Sequence, residues 1–293
     1  GAVGQPAGTD GPETRCRAFE ETAMRFTREE LEAAAALVHG AVPPTPQHSW
    51  PLLSERVGAE VIVKHENHTP TGAFKVRGGV TFVDWLRRAH PQAPGVVTAT
   101  RGNHGQSQAR AATRAGLVAK IVVPPGNAVE KNAAMRAFGA ELVEHGVDFD
   151  GARLEAARLS AEEGLFFTPP FHPELVRGVA TYAFELFRAC GDLDAVYVPI
   201  GCGSGICGTI LARDALGLST PVIGVVAARA PAAKLSAEAG RPVETETART
   251  FADGLAVRVP VPEALAIYGA GAERIVAVEE EEIAGAMRIL FAD

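Results

Sequence analysis

The sequence is poor in cysteine and has no surplus of positive charge. Its four cysteines, Cys16, Cys190, Cys202 and Cys207, form no Cys-x-x-Cys pair and no disulfide-framework spacing. That excludes a disulfide scaffold and a paired-cysteine metal site, and a reducing, cytoplasmic compartment is expected. The net charge of −7 and pI of about 5.7 argue against phosphate neutralisation as the main business, so neither nucleic acid nor a membrane is expected as a partner. No apolar run reaches bilayer length. Residues 1–15 lack the basic end, apolar core and cleavage site of a signal peptide. There is no internal repeat and no low-complexity segment.

What is there is the composition of a globular chain: 293 residues, 47% hydrophobic and 22% charged, room for one large domain or two ordinary ones. Residues 1–18, rich in Gly, Pro and Thr, read as a flexible tail. Thr27-Arg28-Glu29-Glu30 is a capping box that opens a helix to Val38, ended by Pro43, Pro44 and Pro46. Short β-branched runs then alternate with helical ones. Strands are expected at 61–64, 96–99, 119–123, 141–143, 195–200 and 222–226, and helices at 73–89, 104–115, 130–138, 150–163, 175–189 and 206–216. Phe171-His172-Pro173 interrupts the pattern. The rhythm implies an α/β fold with parallel sheets covered on both faces. Ligands of such sheets sit where strands hand over to helix N-termini, which directs attention to three loops.

Gly201-Cys202-Gly203-Ser204-Gly205 follows a strand and opens a helix. Backbone N–H groups freed by small residues at a helix start make a phosphate cradle. Gly203 to Gly208 is also a literal Gly-x-Gly-x-x-Gly. A dinucleotide site wants an acidic residue roughly 20 positions on, and Val225 to Ala230 holds none, so that reading is set aside. Thr100-Arg101-Gly102-Asn103-His104 could grip a carboxylate at a helix start, although Asn-His there can equally be capping. Lys75 follows the turn Pro70 to Phe74. A lysine stripped of water can act as nucleophile and base, but by spacing alone it is an ordinary surface charge.

Taken together, these segments resemble the fold type II pyridoxal 5'-phosphate enzymes, in the serine/threonine dehydratase and serine racemase branch. Glu66 to Gly79 is similar to the family's lysine motif, Gly102 to Gln106 to its Gly-Asn-His-x-Gln loop, and Gly201 to Gly205 to its glycine phosphate loop. Thr250 to Val257 is similar to its Thr-x-Ala-Asp-Gly-Leu-Ala-Val segment. The likeness runs from about Thr45 to the end, in order and in register. It implies that Lys75 carries the cofactor as a Schiff base. Phe74 would pack beside the ring and Asn103 would bond its hydroxyl. Gly201, Cys202, Gly203, Ser204 and Gly205 would hold its phosphate. Thr100, Arg101, Gly102, Asn103 and His104 would line the substrate site, with the carboxylate taken by Thr100 and the N–H groups of Asn103 and His104.

The architecture implied is the tryptophan synthase β-like one. A small domain at 87–172 would be inserted in a large one formed by 19–86 and 173–293, with the site in the cleft. The activity implied is dehydration of a 3-hydroxy amino acid (threonine, serine or hydroxyaspartate type) to a 2-oxo acid and ammonia, by a homodimer. β-Replacement, racemisation and a catalytically silent binding protein are the alternatives.

Four departures sharpen the expectation. Arg101 stands where the family has a small residue, the acid/base on the second face in serine racemase, which argues against racemisation. It could meet a second substrate carboxylate or point into solvent. Ala227-Ala228 replace the carboxylate of the family's metal site, so no metal is expected. Cys202 and Ser204 replace two loop glycines, and the Ser204 hydroxyl could add a phosphate contact. Finally, the sequence stops at Asp293, inside a helix begun after the run Glu279 to Glu282. The family usually continues and supplies the partner of the pyridine nitrogen, so a shortened chain without a C-terminal regulatory domain is expected.

Overall fold

The computed structural model describes residues 24–191 and 193–293. The expected tail at 1–18, and Cys16 with it, lies outside the described residues. In chain order the elements are α1 (Arg28–His39), β1 (Gln47–Ser49), α2 (Pro51–Val57), β2 (Ile62–Lys64), α3 (Lys75–Ala89), β3 (Gly95–Ala99), α4 (Asn103–Arg114), β4 (Val118–Val123), α5 (Val129–Ala137) and β5 (Glu141–Glu144). There follow α6 (Phe149–Glu163), β6 (Phe166–Phe167), α7 (Pro173–Cys190), β7 (Val196–Pro199), α8 (Ser204–Ala215), β8 (Val222–Ala227), α9 (Ala232–Ala239), α10 (Pro262–Gly271), β9 (Arg274–Val278) and α11 (Glu280–Ala292). Among the described residues no helix is long and apolar enough to cross a membrane.

Two parallel sheets result, ordered β5-β4-β3-β6 and β7-β8-β9. The first is covered on both faces, and its sequence shows why. Strand side chains alternate, so neighbours Val96 and Val97 must enter different cores. Val96 packs with Phe82, Ala109, Ile121 and Met135, and Val97 with Val122, Ala152 and Leu159. Both valines are fully buried, which is what an uninterrupted β-branched run predicts.

Helix α3 joins the two sheets. Gly78 faces α7, where a methyl group would lie 2.6 Å from the Leu175 carbonyl oxygen. Gly79 faces α4, where a methyl would lie 2.4 Å from Ser107 Oγ. The adjacent glycines therefore let two helices close on α3 at once. Ser107 Oγ donates back to the Lys75 carbonyl at 2.6 Å. The first turn of α3 is thus clamped from the side of each sheet.

Several expectations need correction. Beside the two expected parallel sheets, β1 and β2 form an unexpected antiparallel pair, with His48 opposite Val63. β1 is polar and short, so it carries no β-branched signal. Helix α1 ends at His39 with Gly40 as its cap, before the prolines are reached. Helix α8 begins at Ser204, not 206, so the second half of the glycine loop is already helical.

Candidate active site

Lys75 is the first helical residue of α3. Its Nζ donates to Ser204 Oγ at 3.4 Å and lies 5.6 Å from the centre of the Phe74 ring. Burial holds its pKa below the ordinary lysine value, while Cys202 pulls weakly the other way. Desolvation disfavours the ammonium form, so more of this amine is free and nucleophilic at a given pH than that of a surface lysine.

Ser204 belongs to the turn between β7 and α8. Gly203, its N-cap, sits at φ 97°, a left-handed conformation that favours glycine. A methyl there would also come within 2.7 Å of Ala264 Cβ. Cys207 N–H makes the first helical bond, to the Gly203 carbonyl at 3.0 Å. The N–H groups ahead of it have no partner inside the helix and face outward with the positive end of its dipole. Tyr182 steadies this turn from below. Its Oη lies 3.0 Å from the Gly205 carbonyl oxygen and 2.8 Å from Thr209 Oγ1. Gly208, the last glycine of the dinucleotide-like pattern, has a different use: a methyl there would meet Ala180 N at 3.0 Å, so it serves helix packing.

The second loop runs from β3 into α4. Thr100 is buried, and its Oγ1 accepts the Gly102 N–H at 3.1 Å. Gly102 is the N-cap of α4, with no side-chain capping bond, and Asn103 is the first helical residue. The capping reading of Asn-His is therefore not realised. His104 is buried, and burial together with the charge of Lys75 pushes its imidazole down to about 3, against the Thr168 carbonyl. Arg101 is exposed. Lys75, His104 and Ser204 share the wall of one small cavity, of about 10 Å³. A larger hollow of about 470 Å³, bordered by His90, Ser160 and Phe166, opens at the β6 edge and holds none of these residues.

Residues that sequence reasoning left without a role complete the surroundings. Arg77 is fully buried and chelated by two carboxylates. Its Nε and NH2 donate to Glu66 at 2.8 and 2.9 Å, and NH2 also to Glu185 at 3.0 Å. Glu185 in turn takes Lys64 Nζ at 2.7 Å and His39 Nε2 at 2.8 Å. Lys131 of α5 pairs with Asp253, linking the Thr-Phe-Ala-Asp-Gly-Leu segment to the four-stranded sheet's side. The signal is weak where the partner is distant, 108 positions for Arg77 and Glu185 and 122 for Lys131 and Asp253. Among the described residues no group of three His, Cys, Asp or Glu side chains could hold a metal ion.

The arrangement thus offers a depressed amine within one hydrogen bond of an anion-binding turn. The family model described as pyridoxal-phosphate dependent enzyme matches residues 38–293. The chain belongs to that family. It is 35% identical to the biosynthetic L-threonine dehydratase of Escherichia coli over 259 residues, 88% of this chain and 50% of that one. It spans about half the length of the curated relatives it matches first. Among solved structures, the processed threonine deaminase isoform 2 of Solanum lycopersicum superposes with TM-score 0.83 at 31% identity, covering 92% of this chain and 80% of that one. Maize serine racemase superposes with TM-score 0.86 at 25% identity, covering 91% and 80%. The fold is the tryptophan synthase β-like architecture of the fold type II enzymes. The residues present fit the family's cofactor: a primary amine for its aldehyde, a helix N-terminus for its phosphate, and a ring beside the amine.

Proposed function

We propose that this chain is a dehydratase (ammonia-lyase) that converts a 3-hydroxy amino acid of the threonine, serine or hydroxyaspartate type to a 2-oxo acid and ammonia. The observation that carries the reading is the approach of Lys75 Nζ to Ser204 Oγ at 3.4 Å, which joins amine and phosphate cradle in one place. When bound, pyridoxal phosphate takes up the substrate amine and spreads the electron pair left at Cα over its ring.

The chain's own residues do the rest. The N–H groups of Cys202, Gly203, Ser204 and Gly205 would hold the phosphate, Phe74 would flank the ring, and Asn103 would bond its hydroxyl. Because the Thr100 oxygen already accepts from Gly102, its O–H proton is free to bond the substrate carboxylate, with the N–H groups of Asn103 and His104 completing that grip. Lys75 takes the Cα proton as a neutral amine. The β-hydroxyl departs as water, carrying off the equivalent of the proton taken from Cα, and a second water converts the released enamine to 2-oxo acid and ammonia. Arg101, exposed beside this loop, suits a substrate with a second carboxylate.

The division into a large domain (19–86 and 173–293) and a small one (87–172) is part of the same reading. The space beside Lys75 is too small for a pyridine ring, so loading needs the loops at 100–105 and 201–205 to separate. The Lys131–Asp253 pair would close them again and exclude water. A homodimer in the cytoplasm is the expected setting, and the unpaired Cys190, Cys202 and Cys207 suit a reducing one.

The test is a keto-acid assay over a panel of 3-hydroxy amino acids on cofactor-loaded protein, with Lys75→Ala beside it. Keto acid and ammonia in equal amounts from wild type, and none from Lys75→Ala, are expected. Substrate loss without keto acid, or an active Lys75→Ala, sinks the dehydratase reading. An Arg101→Ala arm sharpens the substrate: activity on hydroxyaspartate should fall while that on threonine or serine persists.

A further inference from the structure

The imidazole of His104 has no use in the chemistry above, which needs only its backbone N–H. Its side chain is nevertheless 9% exposed, and its Nε2 has no hydrogen-bond partner among the described residues. Leaving a buried acceptor unmade costs about 1–3 kcal/mol. On the same cavity wall, Lys75 Nζ has one long hydrogen bond, to Ser204, although an ammonium carries three donors. A donor with bonds to spare and an acceptor with none thus face one space of about 10 Å³, the size that admits a single water.

We propose that His104 is a positioning residue, holding the Lys75 amine through one enclosed water that accepts from Nζ and donates to Nε2. The inference rests on the reading of Lys75 as the cofactor lysine. With an imidazole at about 3 the ring is neutral at working pH, and its backbone hydrogen bond at Thr168 holds the proton on the other nitrogen, which leaves Nε2 the acceptor. The bridge therefore favours the ammonium form that Lys75 reaches after taking up the Cα proton, and it fixes where Nζ points. It moves no proton to His104.

The chain has five lysines, so lysine-selective ¹³C NMR of the full chain, before cofactor is added, can follow Lys75, assigned by its loss in Lys75→Ala. His104→Leu should lower the Lys75 titration midpoint by about one pH unit, the size of one hydrogen bond to a charged group. His104→Gln, which keeps an acceptor, should recover most of that shift. An unmoved midpoint in folded His104→Leu overturns the proposal. Should that variant not fold, imidazole ¹⁵N NMR decides: Nε2 should move in Lys75→Met, and an unmoved Nε2 overturns the bridge equally. Addition of pyridoxal phosphate to the same samples separates the two readings. Protein that shows these shifts but never gains the cofactor's visible absorbance retains the bridge and loses the cofactor-lysine reading.

Discussion

Lys75 and Arg77 are two residues apart on one helical turn, both drawn out of water, and they are treated in opposite ways. Arg77 is fully buried and chelated by Glu66 and Glu185, and its NH1 also donates to Thr181 Oγ1 at 3.1 Å. Lys75 has a single long bond to a hydroxyl and, for a neighbour, an imidazole whose Nε2 is unpartnered. A buried charge whose bonds are all made is scaffold: it fixes geometry and cannot react. A cation left short of partners gives up its proton readily and is available for chemistry. The first turn of α3 holds one of each, and the satisfied one anchors the helix that aims the other.

The comparison breaks most visibly on stability. Arg77→Met leaves the Glu66 and Glu185 carboxylates facing each other without their central cation, and should cost about 3–5 kcal/mol. Lys75→Met strips no partner of a strong bond and removes a desolvated charge, so denaturant midpoints should stay within about 1 kcal/mol of wild type or rise. Urea unfolding of the two variants side by side decides it. Equal losses would mean that Lys75 is as much scaffold as Arg77.

The contrast also marks what could be seen in the sequence. The loops at 100–105 and 201–205, and the lysine turn, were legible because close backbone approach demands small residues at fixed spacing, and that demand is local. The parallel strands were legible because burial on both faces makes unbroken β-branched runs. Glu185 as the partner of Arg77 was not legible, because a residue 108 positions away leaves no trace in local pattern. The same holds for Tyr182 beneath Gly205. β1 was missed because Gln47-His48-Ser49 is polar, and α2, α9, α10 and β9 because Pro, Gly and short apolar stretches there carry no clear period. The start of α8 at Ser204 was missed because glycine and serine argue for a loop, whereas here they form the helix's first turn.

A second way to probe the under-partnered side is acid. His104 has a folded value of about 3, against about 6.5 in an unfolded chain. Its neutral form is the one the fold holds, so below about pH 6.5 the unfolded state takes a proton that the folded state refuses. Stability is then lost as pH falls from that point toward 3, with a slope approaching 1.4 kcal/mol per pH unit for this one group. Burial lowers His65 and His172 as well, so the informative quantity is a difference. His104→Gln should lose about one proton's worth of the slope between pH 6 and 4. Parallel stability curves for the two proteins would show that His104 takes its proton in the folded state.

The smallest effect belongs to the floor of the phosphate turn. Tyr182 is buried, with burial pushing its hydroxyl well above the ordinary phenol value, so it stays protonated and serves as a fixed donor. Tyr182→Phe keeps the ring that packs 5.8 Å from Phe74 and deletes only the hydroxyl. Thr209 Oγ1, 3.0 Å from the Gly205 carbonyl oxygen, still satisfies that acceptor, so the cost should be about 1 kcal/mol. That loss is local to the turn whose N–H groups would face the cofactor's phosphate. Cofactor affinity should therefore weaken severalfold while the absorbance of the loaded protein is unchanged. Arg77→Met works through the position of α3 and should change both. A Tyr182→Phe protein that binds pyridoxal phosphate as tightly as wild type would show that the Gly203–Gly205 turn is held by Thr209 and the helix alone.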